Sequence, residues 1–194
     1  MKSIAVFGIA LCFGWSASAI EPLPRKSSDF TTTLPAGKEL SLSSYRGKVV
    51  LVQFLSTTCP HCQATARVYT KLANELGPQG LQVVGVAFNP EVQGKPGVVD
   101  NFVITYGVGF PVGMSPVENV LGYLGISMAE RYVVPQIAVI DRKGMIRAQS
   151  EPLGTPELQT EAHMRSLLEA LLKETATTKS NKTKAASAAK STPQ

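Results

Sequence analysis

Two cysteines stand close together in the stretch STTCPHC, with a proline and a histidine between them. Thiols at this spacing can form a structural bridge, a metal clip or a redox pair that exchanges disulfides. A bridge across one helical turn closes too small a loop to stabilise a fold by much. We therefore interpret Cys59 and Cys62 as a redox pair that cycles between dithiol and disulfide, with no metal and no cofactor.

The sequence around the pair predicts a strand followed by a helix. Lys48–Leu55 is a continuous β-branched and apolar run, which is typical of a strand covered on both faces. After Pro60, apolar residues at helical spacing continue to Leu76, where Gly77-Pro78 ends the pattern. Cys59 is therefore expected at the amino end of a helix that begins where a buried strand ends.

This placement predicts a different role for each thiol. Free N–H groups and the macrodipole at a helix start favour an anion, so Cys59 is expected to be a thiolate nucleophile. His61 adds to this effect if it is protonated or donates a hydrogen bond nearby, and Pro60 completes the motif. Cys62 lies one turn into the helix, where it can attack a mixed disulfide formed at Cys59.

The other elements alternate between strand and helix signals. We predict a second buried strand, a helix that ends at Gly107, a short strand, a helix with a capping box, a hairpin and a last helix. Their positions are Leu81–Phe88, Val99–Tyr106, Phe110–Val112, Ser115–Gly125, Gln136–Asp141 with Met145–Gln149, and Thr155–Glu174. An additional hairpin, Phe30–Leu42, precedes them.

Composition indicates one exported domain in a chain of 194 residues with three cysteines. Residues 1–19 have the charge, apolar core and small-residue end of a cleavable signal peptide, although an uncleaved membrane anchor is the alternative. We assign 20–27 to a linker, 28–174 to the domain and 175–194 to a disordered basic tail. The net charge of +5 comes from Lys2 and four tail lysines, and nothing in the neutral body predicts nucleic-acid binding.

The stretches KVVLVQFLSTTCPHC, VVPQIAVIDRKGMIRA and DFTTTLPAGKELSLSSYRGK resemble the TlpA/ResA-like branch of the thioredoxin superfamily. The resemblance implies an α/β thioredoxin-like fold, with a central mixed sheet flanked by helices and an N-terminal β-hairpin extension. It also implies that Pro135 is cis and faces the cysteines, while the Val134 backbone pairs with an extended substrate. Such proteins are typically exported, often membrane-tethered, thiol-disulfide oxidoreductases. We expect a monomer that acts on exported protein thiols and disulfides, with an upstream redox partner that could be a membrane protein.

The chain departs from this family at three places. Thr57 and Thr58 stand where many relatives have tryptophan, so we expect a polar rim with Thr58 at the substrate. Gln53 aligns with a buried carboxylate that assists proton transfer in thioredoxin, and Glu91 is a candidate replacement. The insert Pro60-His61 is that of the oxidant DsbA, which indicates an oxidising pair, whereas the family label indicates a reductase.

Two other functions stay open. A thiol peroxidase is one, because peroxiredoxins share the fold and AFNPE is similar to their sequences. Their signature proline and threonine, however, correspond here to Val52 and Ser56. A copper(I) metallochaperone is the other, although such proteins have wider cysteine spacing and a histidine where this chain has Tyr132-Val133-Val134.

Overall fold

The structure is a computed structural model that describes the backbone of residues 21–188 and the side chains of residues 21–174. The predicted signal peptide, residues 1–19, lies outside the described residues. No helix in the described part of the chain is both long and apolar enough to span a lipid bilayer.

A mixed sheet of eight strands forms the centre of the described residues. The strands are β1 (Arg25–Lys26), β2 (Thr31–Thr33), β3 (Glu39–Ser41), β4 (Val49–Leu55), β5 (Leu81–Ala87), β6 (Val112–Met114), β7 (Gln136–Ile140) and β8 (Met145–Gln149). Their spatial order is β1-β8-β7-β4-β5-β6-β2-β3. The central strand β4 pairs in parallel with β5 and antiparallel with β7.

Four α-helices cover this sheet: α1 (Pro60–Leu76), α2 (Pro96–Tyr106), α3 (Val117–Leu124) and α4 (Glu161–Ala188). One apolar cluster contains Leu72 of α1, Phe102 of α2 and Leu168 of α4. A second cluster, on the other face of the sheet, contains Leu121 of α3 and Phe30 before β2. Every residue of β4 is buried because both faces of the strand are covered.

The structure confirms the predicted fold class and the elements that flank the cysteines. β4 occupies the predicted buried run, and α1 begins at Pro60, whose fixed φ suits the first helical position. The front hairpin turns at Gly37, which has φ +78, and the hairpin of β7 and β8 turns at Gly144. Glycine suits both turns because it adopts positive φ without a steric penalty.

Several element boundaries differ from the prediction. The predicted linker contains β1, in which Arg25 pairs with Ile146 of β8. β6 begins at Val112 because Pro111 has no N–H to donate to the sheet. The last α-helix begins only at Glu161, after a 3₁₀ turn at Pro156–Gln159.

The predicted end of the last helix at Glu174 is wrong, since α4 continues to Ala188. The segment predicted as a disordered tail is therefore helical up to that residue. Alanine and lysine favour helix, and neither glycine nor proline occurs between Glu174 and Ala188. The division between domain and tail stays a prediction.

The capping box predicted at Ser115 is also wrong. The helix cap of α3 is Pro116, and no side chain caps its first N–H groups. The Ser115 N–H donates instead to Ala87 O at 3.1 Å, which extends the pairing of β6 with β5. Ser115 Oγ is buried without a hydrogen-bond partner among the described residues.

We expect Ser115→Ala to leave the free energy of unfolding unchanged or to raise it. A capping serine contributes about 1 kcal/mol, whereas a buried hydroxyl without a partner contributes only its desolvation cost. Ser41→Ala is the control, because Ser41 Oγ accepts from Ser43 N at 3.2 Å and caps a 3₁₀ turn. Urea unfolding of both variants provides the measurement, and a loss at Ser115 equal to that at Ser41 would contradict the assignment.

Candidate functional site

Cys59 is the last residue before α1. Its backbone is extended, with φ −81 and ψ 119, and its carbonyl accepts the helical hydrogen bond from Gln63 N at 3.1 Å. Its own N–H donates to Ser56 O at 3.2 Å, which closes the turn after β4. The side chain is half-buried, and it lies beside the first turn of a helix, where an anion is favoured.

Cys62 lies one turn into α1 and points into the core. It is 0% exposed and belongs to the apolar cluster beneath the helix. Burial raises the pKa of the Cys62 thiol, because desolvation disfavours the thiolate. Both cysteines of the predicted Cys59–Cys62 pair are free in this structure. The pairing itself stays a prediction.

Gln53 lies under the second thiol, at the centre of β4. Its side chain is fully buried, and Nε2 donates to Cys62 O at 2.9 Å. Its Oε1 atom has no hydrogen-bond partner in the part of the chain that the structure describes. This amide therefore helps to fix the first turn of α1, and it has no ionisable proton to exchange with Cys62.

Val134 lies beside Cys59. Cys59 Sγ lies 3.7 Å from Val134 O, close enough for a thiol hydrogen bond, and the Val134–Pro135 peptide bond is cis. The position of Val134 agrees with the substrate-docking role implied by the resemblance. That role stays a prediction, as do the roles of Pro60 and His61, which are exposed at the start of α1.

The two threonines before Cys59 point in different directions. Thr58 is exposed, and its Oγ1 lies 3.0 Å from Ser56 Oγ. Thr57 is only 7% exposed, so just one of the two threonines contributes to the polar rim. The Thr57 N–H donates to Asn89 Oδ1 at 3.1 Å, which ties the cysteine loop to the end of β5.

Asn89 is a site residue that sequence reasoning missed. Its Nδ2 atom donates to Thr57 Oγ1 at 3.3 Å and to Glu91 Oε2 at 2.7 Å. The hydrogen bond from Asn89 lowers the pKa of Glu91, which makes this carboxylate a weaker base than an ordinary glutamate. The position of Asn89, directly after a buried strand, was the available signal.

A cleft of about 590 Å³ adjoins the cysteine loop at Ser56 and Val134. Phe88 and Tyr132 contribute two aromatic rings to its wall, with centroids 6.1 Å apart. Within the described residues, no group of three or more His, Cys, Asp or Glu side chains could hold a metal ion.

A dithiol at the carboxyl end of a central strand, opposite a second loop from the neighbouring strand, defines a thioredoxin-like protein. The solved structure of a thiol:disulfide interchange protein of the thioredoxin family from Chlorobium tepidum TLS has a similar fold. Its TM-score is 0.62 at 24% identity, with 78% of this chain and 99% of that chain covered. The chain belongs to the AhpC/TSA family, whose sequence profile matches residues 24–149.

Two relatives give different indications of activity. The chain is 24% identical over 125 residues to the thiol-disulfide oxidoreductase ResA of Bacillus thuringiensis, covering 64% of this chain and 67% of that protein. It is 32% identical over 117 residues to Probable glutathione peroxidase 8-B of Xenopus laevis. That match covers 56% of each protein, so the chain spans little more than half of this relative's length.

The exposure of the two thiols predicts their order of alkylation. We expect iodoacetamide to modify Cys59 before Cys62 in the native protein at mildly acidic pH. Cys62 is buried, and its raised pKa keeps it protonated to a more alkaline pH than a free cysteine. Peptide mass spectrometry after timed quenching checks this order, and a denatured sample is the control in which both thiols react. Faster modification of Cys62 would reverse the assigned roles.

Proposed function

We propose that this protein is an exported thiol-disulfide oxidoreductase that exchanges disulfides with exported proteins through Cys59 and Cys62. The observation that carries the proposal is the 3.7 Å approach of the half-exposed Cys59 sulfur to Val134 O, with Cys62 buried one turn away. Cys59 lies beside backbone atoms with which an extended substrate could pair. The burial of Cys62 keeps that thiol from reacting with other molecules.

The reductive direction has two steps. The Cys59 thiolate attacks one sulfur of a substrate disulfide, so a mixed disulfide forms and the other substrate sulfur leaves as a thiolate. The Cys62 sulfur then attacks Cys59 Sγ, the mixed disulfide breaks, and the proton of Cys62 passes to the departing substrate sulfur. The products are the Cys59–Cys62 disulfide and a substrate dithiol. The same steps in reverse oxidise a substrate dithiol.

The substrate is proposed to lie across the start of α1. An extended segment that pairs with the Val134 backbone, next to Pro135, brings a substrate sulfur towards Cys59. Thr58 borders the same space with an exposed hydroxyl. The cleft beside Ser56 and Val134 can receive a side chain that neighbours the substrate cysteine.

Export and redox partners form part of the proposal. A signal peptide cleaved after Ala19 would deliver a monomer to the periplasm or the medium, where disulfides persist. An upstream redox partner would restore the working redox state of the pair, and a membrane protein is one candidate. Mass spectrometry of the protein recovered from a periplasmic fraction tests export; recovery of only the uncleaved chain at the membrane would favour the anchored alternative.

A resolving-cysteine variant tests the reaction. We expect Cys62→Ser to accumulate a mixed disulfide with oxidised insulin, because Cys59 can attack but nothing resolves the product. Non-reducing electrophoresis and peptide mass spectrometry identify the linkage. Cys59→Ser is the matched control and should form no adduct. An equal yield of adduct through Cys62 in that control would refute the proposed division of roles.

A second variant tests how the insert tunes the pair. We expect His61→Ser to make the disulfide harder to reduce, because a histidine beside Cys59 stabilises the thiolate of the reduced form. Equilibration with glutathione buffers, followed by acid quenching and thiol counting, measures the shift. His163→Ser is the control, since His163 is exposed on α4. Identical equilibrium constants for the two variants would remove the tuning role.

A thiol peroxidase is the second candidate, and the 32% identity to Probable glutathione peroxidase 8-B is the observation that favours it. In that reaction Cys59 would be oxidised by peroxide to a sulfenic acid, and Cys62 would condense with it to release water. Peroxide consumption by the dithiol form, compared with its rate of insulin reduction, separates the two activities.

A further inference from the structure

Two loops meet beside the reactive thiol. Residues 132–135 lead into β7, residues 151–154 follow β8, and Val133 N donates to Pro152 O at 2.9 Å across the gap. Gly154, with φ +96, lies so close to Val133 that a Cβ atom there would be 3.1 Å from Val133 Cγ2. These two segments form one surface, which we term the two-loop ledge.

Gln136 joins the two halves of this ledge from below. Its side chain is 0% exposed, and Nε2 donates to Val133 O at 2.9 Å, to Glu151 O at 3.2 Å and to Pro152 O at 3.0 Å. One amide nitrogen with two hydrogens therefore serves three carbonyls on two loops, one hydrogen being shared. These bonds satisfy backbone acceptors that sheet pairing leaves free.

Only the donor side of the Gln136 amide is used. Its Oε1 atom has no hydrogen-bond partner among the described residues, although a buried acceptor without a partner destabilises the fold. A hydrophobic residue at this strand position would avoid that cost, but it would remove the amide donor from Val133 O and Glu151 O and leave Pro152 O with only the Val133 N–H. Gln136 therefore makes its side-chain hydrogen bonds to the two loops. The other residues of β7 have buried apolar side chains.

The two-loop ledge includes Val134, whose O lies 3.7 Å from Cys59 Sγ. It also presents apolar side chains, because Val133 is 43% exposed and Leu153 is 70% exposed. A protein segment that pairs with the Val134 backbone would extend along residues 132–135, whereas a small disulfide is too short to do so.

We infer that Gln136 is a positioning residue that holds the two-loop ledge in place for protein substrates, an inference that rests on the proposed disulfide exchange. It does not touch the reacting sulfurs. It fixes where the substrate backbone lies relative to Cys59, so that the substrate sulfur arrives in line. Replacing Gln136 therefore impairs the reaction with protein disulfides and leaves the reaction with small disulfides unchanged.

The test compares Gln136→Met with Gln149→Met in the full chain. Gln149 is a buried amide on β8 that donates to Leu124 O at 2.8 Å and accepts from Arg25 at 2.6 Å, so its side-chain hydrogen bonds lie outside the two-loop ledge. Both variants lose a buried amide, and urea unfolding of each measures the stability cost against which activity is compared. Insulin and 5,5′-dithiobis(2-nitrobenzoate) are the protein and small-disulfide substrates.

We expect Gln136→Met to raise KM for insulin about tenfold with little change in kcat, and to leave kcat/KM for the small disulfide within about twofold. Gln149→Met should resemble the unmodified protein on both substrates. Gln136→Asn, which keeps an amide but shortens its reach, should act in the same direction. It serves as the test variant if Gln136→Met does not fold.

Hydrogen exchange gives a second readout. The Val133 amide should exchange faster in the Gln136 variants, because its bond to Pro152 O loses support, while the Val139 amide in the middle of β7 should not change. A folded variant with unchanged KM and unchanged exchange at Val133 would overturn the inference. An equal loss on the small disulfide would also overturn it, since the defect would then lie at Cys59.

Failure of the proposed function has a different pattern. In that case the unmodified protein and all variants would reduce insulin no faster than the reductant alone, although Cys59 would still react with the small disulfide, and the KM comparison would have no baseline. A defect confined to Gln136 variants on insulin cannot arise from that cause.

Discussion

The contact between Cys59 Sγ and Val134 O is the feature on which the rest of the site depends. It joins residues separated by 75 positions, and sheet topology brings them together. Because β4 and β7 are antiparallel neighbours, with Phe54 opposite Gln136, the carboxyl end of one strand meets the amino end of the other. The loop that ends in Cys59 and the loop that ends in Pro135 must then face each other. The sheet itself therefore holds Cys59 beside the Val134 backbone.

The geometry of a single helical turn explains why two thiols so near in sequence differ so much in environment. Cys59 precedes the helix and stays at the surface, whereas Cys62 is carried inward with the apolar face of α1. The side chains that hold the segments around the two thiols in place are amides rather than charged groups. Gln53 holds the first turn of α1, Asn89 holds the loop before it, and Gln136 holds the loops opposite. Amides can fix these segments at any pH, because they do not ionise between acidic and alkaline conditions.

The sequence predicted the parts of the site that depend on local patterns. The apolar run of β4 and the proline at the start of α1 were sufficient to place both cysteines correctly at a strand–helix junction. The hydrogen-bond partners of the amides could not be found this way, because a local pattern does not show which backbone atoms a side chain reaches. Asn89 reaches a residue 32 positions earlier, and nothing in its neighbours indicates that partner. Ser115 shows the opposite error: a locally valid capping pattern was overridden by strand pairing with Ala87.

The sheet ends in β1 on one side and β3 on the other, strands of only two and three residues. Long open edges expose rows of backbone donors and acceptors that invite strands from other molecules, and short edges limit this association. The short edges of this sheet therefore leave few backbone groups to which a strand of another molecule could pair.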